Sequence, residues 1–227
     1  MKVFERAARR AEVPLMYSSG FNPHPRMVFG SPLPVGTSSE AEYADFLIDI
    51  NDPALLSEIA GTIILKLARQ MPSGFEIMGA AFFNGDGGSD NIMRIICAAS
   101  YKVIIPADAV IMAACPDYSL IAGLMMEREH LPVMKASKNR TAEIDIRPMV
   151  LSMETYMGEY ENMVFKMLLK AGNELNLRPE LVLKAAEEVC GADISDMPVL
   201  IHRTGLYARP GEKLIDPVDM PGLIRVP

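Results

Sequence analysis

The stretch AEYADFLIDINDPALLSEIAGTIILKLARQMPSG, residues 41–74, contains a change of hydrophobic period that decides the fold class. As far as residue 50, apolar and polar side chains alternate, so that Asp45 and Asp49 face away from Phe46. This alternation is typical of a half-buried strand. After residue 53, apolar residues recur at helical spacing instead. A strand followed directly by an amphipathic helix predicts a mixed fold of sheets and helices.

The helix in this stretch has clear signals at both ends. Asp52 is suited to cap its first turn, and Pro53 favours the first helical position. The Pro-Ser-Gly sequence at residues 72–74 predicts its end. Its buried stripe is expected to consist of Leu56, Ile59, Ile63 and Leu67.

The same alternation of strand and helix patterns continues along the whole chain. Strands are predicted at 14–19, 26–36, 75–83, 100–106, 161–172 and 198–208, helices at 1–12, 119–127 and 179–189, and a hairpin at 132–150. The first half then reads α-β-β-α-β, which is one strand short of a ferredoxin-like β-α-β-β-α-β unit. We therefore predict an α+β fold of two tandem ferredoxin-like units, the first lacking its initial strand. The predicted parts are a first unit at 1–83, a linker at 84–91, a second unit at 92–208 and a tail at 209–227.

Composition narrows the function classes. The 227 residues carry a net charge of −7, which argues against wrapping nucleic acid by bulk electrostatics but leaves a local basic groove open. Cys97, Cys115 and Cys190 stand far apart, without the spacing of metal ligands. This usage suggests reduced thiols in the cytoplasm and no metal or cofactor bound by this chain. No stretch has the length of a membrane-spanning helix, so no membrane contact is expected.

The segment YSSGFNPHPRMVFG, residues 17–30, is the most unusual loop, and it has two interpretations. Its glycines and prolines can simply shape a tight connection. Alternatively, the prolines hold polar side chains rigidly outward, at low entropic cost to a binding partner. That arrangement suits an anionic or polar ligand, or a loop of a partner protein. The candidate binding residues are Tyr17, Ser18, Asn22, His24 and Arg26.

Four charged residues in the second half are further binding candidates. Asp145 and Arg147 lie two apart on a predicted strand, where they pair with one another or bind a ligand. Arg178 precedes a helix start, and there it either helps to hold an anion or remains solvated. Arg203 follows His202 on the last predicted strand, so their side chains lie on opposite faces. If strands 143–148 and 199–206 are neighbours, Arg147 and Arg203 converge in a small positive cleft.

No catalytic set is recognisable from the sequence. The three histidines, His24, His130 and His202, are scattered along the chain. A general base needs a nucleophile and an orienting group close by in the fold, and sequence spacing does not indicate these.

Several motifs closely resemble the bacterial radical-SAM-linked protein family, a domain of unknown function. They are FERAARRA at 4–11, GFNPHP at 20–25, LPVG at 33–36, EAEY at 40–43, DIRP at 145–148 and RPELVL at 178–183. Family members usually carry an additional N-terminal strand and a serine-histidine-leucine-aspartate stretch before the first helix. Met1 resembles an internal methionine of that helix, so the resemblance implies that the family's first strand is missing here.

The resemblance implies a partner more than a reaction. The family is named for its association with a larger radical SAM protein of the cobalamin-binding type, and its genes often lie near a ribonuclease of the E/G type and ribosomal proteins. The iron–sulfur cluster, S-adenosylmethionine and cobalamin would belong to that partner. The resemblance implies an accessory or substrate-presenting protein, and the neighbouring genes imply RNA or ribosome-linked modification as its setting. The alternatives are a stand-alone RNA-binding module with a small basic cleft and an enzyme that uses His24.

Overall fold

The computed structural model describes residues 2–50, 52–83, 91–107, 117–137, 140–173, 175–191, 194 and 197–226. The chain divides into two compact units. The first comprises Met1–Gly30, Tyr43–Ile95 and Ile215–Pro227, and the second comprises Ser31–Glu42 and Ile96–Leu214. Most of the predicted linker, residues 84–90, lies outside the described residues.

The helices and strands are numbered in chain order. The helices are α1 (Lys2–Arg10), α2 (Pro53–Gln70), α3 (Ile92–Ile95), α4 (Ser119–Glu127) and α5 (Pro179–Cys190). The strands are β1 (Met27–Phe29), β2 (Thr37–Ser39), β3 (Ala44–Phe46), β4 (Ala81–Phe82), β5 (Ile96–Ile105), β6 (Pro132–Ser137), β7 (Arg140–Asp145), β8 (Val150–Met157), β9 (Met163–Lys170), β10 (Leu200–Ala208) and β11 (Ile224–Arg225). Each described helix is too short or too polar to cross a membrane.

The first unit packs α1 and α2 beside short antiparallel ladders. The cap predicted for α2 is confirmed, because the Asp52 carboxylate accepts a hydrogen bond of 2.9 Å from the Ala54 backbone N–H. On α1, the Phe4 ring makes edge contacts with Phe29 and Phe75, with ring centroids 5.1 and 5.6 Å apart. Strand β1 pairs with β3, and an isolated bridge between Leu15 and Ile48 extends this ladder.

The C-terminal segment belongs to the first unit and not to a separate tail. Strand β11 pairs antiparallel with β4, and the Tyr43 hydroxyl donates a hydrogen bond of 2.7 Å to the Asp216 carboxylate. Segment Ser31–Glu42 belongs to the second unit, because β2 pairs with β10. The structure therefore assigns Ser31–Glu42 and Ile215–Pro227 to other parts than the prediction did, because these assignments depend on strand pairings between residues far apart in sequence.

The second unit is built on a sheet with the strand order β2-β10-β5-β9-β8. Neighbouring strands are antiparallel, except that β2 runs parallel to β10 at the edge. Along the chain, the elements β5, α4, β8, β9, α5 and β10 follow one another in β-α-β-β-α-β order. The antiparallel hairpin of β6 and β7 lies between α4 and β8 in the chain, and its predicted turn at 138–139 lies outside the described residues.

The core of the second unit lies on the face of this sheet that α4 covers. The Thr155 hydroxyl on β8 accepts a hydrogen bond of 3.1 Å from the Ala122 N–H and donates one of 3.3 Å to the Ser119 carbonyl. Both partners lie on α4, which in turn packs against α5. The apolar side chains buried on this face include Val103, Phe165, Met167, Leu169 and Leu206.

The expected α+β class is confirmed. The finer expectation of two tandem ferredoxin-like units stays a prediction, because the described residues of the first unit form two-stranded ladders. Strand β8 was not predicted from the sequence. In the structure it pairs with β9 and forms one edge of the sheet.

Candidate functional site

Loop 17–26 in the first unit is closed at its base. Tyr17 forms an antiparallel bridge with Pro25. The Ser18 N–H donates to the His24 carbonyl at 2.8 Å, and the Ser18 hydroxyl accepts from the His24 N–H at 3.0 Å. Within the turn, Gly20 has a φ of +138°, a conformation that side-chain-bearing residues rarely adopt. These contacts hold the five residues 19–23 as a defined tip.

The tip of this loop exposes an aromatic side chain. Phe21 is 102% exposed, which means that its whole ring is open to solvent. Asn22 and His24 are also exposed, and Tyr17 beside them is about half exposed. The outward placement of His24 is as expected, whereas sequence reasoning had selected its polar neighbours and missed Phe21.

Arg203 is not a ligand group but an internal clamp. Its side chain is 1% exposed, and it donates hydrogen bonds to the Glu42 carboxylate at 2.7 Å, to the Ser31 carbonyl at 3.2 Å and to the Pro32 carbonyl at 3.3 Å. The Tyr101 ring lies 5.8 Å from its guanidinium carbon. Arg203 thereby fastens segment Ser31–Glu42 to β10, and the expectation that it lines a cleft was wrong.

Arg147 is held by backbone carbonyls near the end of α4. Its guanidinium donates to the Met126, Arg128 and Val150 carbonyls at 2.9, 3.2 and 3.3 Å. Strand β7 ends at Asp145, and Arg147 lies beyond it in a 3-10 turn. The prediction that Asp145 and Arg147 share one strand face was therefore wrong. Strand β7 pairs with β6, whereas β10 lies between β2 and β5, so the strand pairing that would bring Arg147 and Arg203 together does not occur.

Asp145 joins the two ends of the hairpin. Its carboxylate lies 2.9 Å from His130 Nδ1 and accepts from the Leu131 and Arg147 N–H groups at 2.8 and 3.0 Å. The hydrogen bond to His130, followed by those two backbone bonds, lowers the pKa of Asp145 to about 2. Arg178 is the N-cap residue of α5, and its exposed side chain makes no capping hydrogen bond.

A row of polar side chains crosses the other face of the five-stranded sheet. Each residue pairs in register with the next, and the row runs through Ser38, His202, Lys102, Lys166 and Glu154. Because strand spacing is about 4.8 Å, the row is roughly 19 Å long. We call this surface the polar face. It also carries Tyr156, whose ring centroid lies 5.3 Å from Lys166 Nζ.

At the first end of the row, Glu40 joins Ser38 and His202, so that three side chains lie in close contact. The Ser38 hydroxyl lies 2.8 Å from His202 Nδ1, and the Glu40 carboxylate lies 3.5 Å from His202 Nε2. Sequence reasoning missed Ser38 and Glu40, because a parallel strand pairing across more than 160 positions of the chain brings them to His202. Among the residues that the structure describes, no group of three His, Cys, Asp or Glu side chains is placed to hold a metal ion.

The clamp predicts a large difference between two arginines. Arg203→Met leaves the Ser31 and Pro32 carbonyls without this donor and the Glu42 carboxylate with only its bond of 2.6 Å from the Ser39 hydroxyl, so we expect the free energy of unfolding to fall by about 2–3 kcal/mol. This loss is at or below the roughly 3–5 kcal/mol for breaking a fully buried ion pair, because the Glu42 side chain is partly exposed. Urea unfolding measures the change. The matched control Arg178→Met should change the same quantity by less than about 0.5 kcal/mol, and equal effects of both substitutions would contradict the assignment.

The Asp145 contacts predict a pH dependence. Because the pKa of Asp145 is lowered from 3.8 to about 2 in the folded protein, its ionised form stabilises the fold fully above pH 4. That contribution disappears as pH falls through about 2. Unfolding by urea at pH 5, 4, 3 and 2 should show a gap between wild type and Asp145→Asn that closes toward the lowest pH. Glu143→Gln on the same strand is the control, and a gap independent of pH would refute the role of this carboxylate.

Comparison with known families gives a match over most of the chain. The profile of a family described as uncharacterized protein conserved in bacteria (DUF2344) matches residues 1–179 of 227. The match includes loop 17–26 and Ser38, and it ends at the first residue of α5. No curated protein matches the sequence. Because the match covers most of the chain, the chain belongs to this family of uncharacterized bacterial proteins.

Proposed function

We propose that this protein is an accessory or substrate-presenting protein for a radical SAM enzyme of the cobalamin-binding type, and that loop 17–26 contacts that enzyme. The observation that carries the proposal is the fully exposed Phe21 ring at the tip of a loop closed at its base. The resemblance of GFNPHP to the radical-SAM-linked family supports the choice of partner. In this proposal, the iron–sulfur cluster, S-adenosylmethionine and cobalamin are held by the enzyme.

The loop has the physical properties of a docking element. Full burial of a phenylalanine side chain stabilises a complex by about 1.5–3 kcal/mol, and aromatic anchors of this kind often dominate the energy of an interface. The Ser18–His24 contacts hold the loop in shape before binding, so little conformational entropy is lost when it docks. Exposed Asn22 and His24 add hydrogen-bonding groups next to the ring.

Co-purification from cells tests this proposal. Phe21→Ala should reduce the amount of radical SAM enzyme recovered with the protein and weaken the complex by about 10–100-fold, as expected for the loss of one buried ring. Met78→Ala is the matched control, because Met78 is 81% exposed in the same unit. Circular dichroism checks that both variants fold. Recovery of the enzyme with Phe21→Ala at the wild-type level would contradict the proposal.

A second candidate function is binding of single-stranded RNA on the polar face. It is favoured by the lysines of the row, Lys102 and Lys166, together with Lys170 on the same side of β9. Tyr156 and Tyr207 on the same face offer rings for stacking. This surface replaces the arginine cleft expected from the sequence, and its lysines provide local positive charge within an acidic protein.

The salt dependence of RNA affinity tests this second candidate. The double variant Lys166→Glu and Lys170→Glu should bind a single-stranded oligonucleotide about 10-fold more weakly or worse. The slope of log affinity against log salt should fall by about 1.4, because each lost phosphate contact contributes about 0.7 for single strands. Lys184→Glu on α5, also exposed, is the control. Absence of salt-sensitive binding in the wild type would exclude this function.

A further inference from the structure

We propose that Ser38, His202 and Glu40 form a nucleophilic site on the second unit, at which Ser38 attacks the carbonyl carbon of an activated ester. Ser38 is the nucleophile, His202 is its general base, and Glu40 is a positioning residue for the imidazole. This site is independent of loop 17–26 and does not rest on the docking function proposed above.

The geometry places a nucleophile, a base and an orienting carboxylate in contact one after another. The Ser38 hydroxyl has two acceptors, His202 Nδ1 at 2.8 Å and the Ile201 carbonyl at 3.4 Å, so its proton is directed to the closer imidazole nitrogen. An imidazole that accepts at Nδ1 carries its own proton on Nε2. That nitrogen faces the Glu40 carboxylate at 3.5 Å, so this tautomer is the favoured one. The order serine, imidazole, carboxylate also occurs in hydrolases of unrelated folds, although here the two ring nitrogens are exchanged, with Nδ1 at the serine and Nε2 at the carboxylate.

The backbone around the three side chains is fixed on both sides. Ser38 and His202 are directly paired in the β2–β10 ladder, and the Glu40 N–H donates to the Arg203 carbonyl at 3.1 Å. The Arg203 guanidinium holds the start and the end of the same segment through Ser31 and Glu42. Reactive groups held by a rigid ladder keep their geometry better than groups on a free loop.

The site is accessible and has a cation next to it. Ser38 and Glu40 are exposed, and the His202 side chain is 33% exposed, so a solute in water reaches the hydroxyl. Lys102 stands opposite His202 on β5 and on the same face of the sheet. Its ammonium group favours negative charge that develops on a carbonyl oxygen during attack.

The reaction balances without a cofactor. The Ser38 oxygen forms a bond to the carbonyl carbon while its proton passes to His202 Nδ1, and the bond to the leaving alkoxide then breaks. The alkoxide takes that proton and departs as an alcohol, which leaves an acyl-serine. Water, activated by the same imidazole, then releases the acid, so that ester and water become acid and alcohol.

Labelling with an alkyl fluorophosphonate tests the site directly. In this reaction the Ser38 oxygen bonds to phosphorus, fluoride leaves, and the proton passes to His202. We expect mass spectrometry of the wild type to show one adduct, on the peptide that contains Ser38, and none in Ser38→Ala. His202→Asn should slow labelling by about 100-fold or more, the usual contribution of a general base.

Two further variants separate chemistry from structure. Glu40→Gln keeps the side-chain size but removes the charge, and it should slow labelling by about 10-fold without shifting the thermal unfolding midpoint. Ser152→Ala removes another exposed serine of the same sheet and should label as the wild type does. Absence of an adduct, adducts spread over several serines, or a labelling rate unchanged in His202→Asn would each overturn the proposal.

Discussion

The buried guanidinium of Arg203 is the interaction on which the arrangement of the second unit depends. It bonds to both ends of segment Ser31–Glu42, and between them β2 adds to the edge of the sheet, parallel to β10. A charge in this position is costly unless its hydrogen bonds are satisfied, and among the described residues its Nε remains without a partner. Because the pairing of β2 with β10 brings Ser38 to His202, the chemistry proposed at the sheet edge depends on an arginine that is itself inaccessible.

The two proposed surfaces differ in how the chain produces them. Loop 17–26 is a local structure, since a bridge and two hydrogen bonds between near neighbours close it and its glycine permits the turn. The polar face is non-local, since it takes one side chain from each of five strands. A substitution at the loop is therefore expected to affect the loop alone. On the polar face, a register shift of one residue in one strand would move that strand's polar side chains to the other face of the sheet.

Local signals explain what was predictable from the sequence. Helix α4 has the predicted bounds, the cap at Asp52 forms as expected, and His202 and Arg203 lie on opposite faces of β10. Strand β8 was not predicted because its buried and exposed positions differ less clearly in polarity. Its buried Thr155 is polar, and the Thr155 hydroxyl forms its hydrogen bonds with α4. The role of Arg203 and the contact between Ser38 and His202 were unpredictable, since they arise from a pairing of distant segments that hydrophobic period does not encode.

The distribution of the chain between the two units constrains the order in which they are completed during synthesis. The first unit contains Ile215–Pro227, and the second contains Ser31–Glu42 together with β10. A nascent chain that has emerged as far as residue 95 therefore lacks β11, and its segment Ser31–Glu42 has no strand to join. Neither unit can therefore be completed from one uninterrupted stretch of chain: the second unit waits for β10, and the first waits for Ile215–Pro227, which is synthesised after the whole of the second unit.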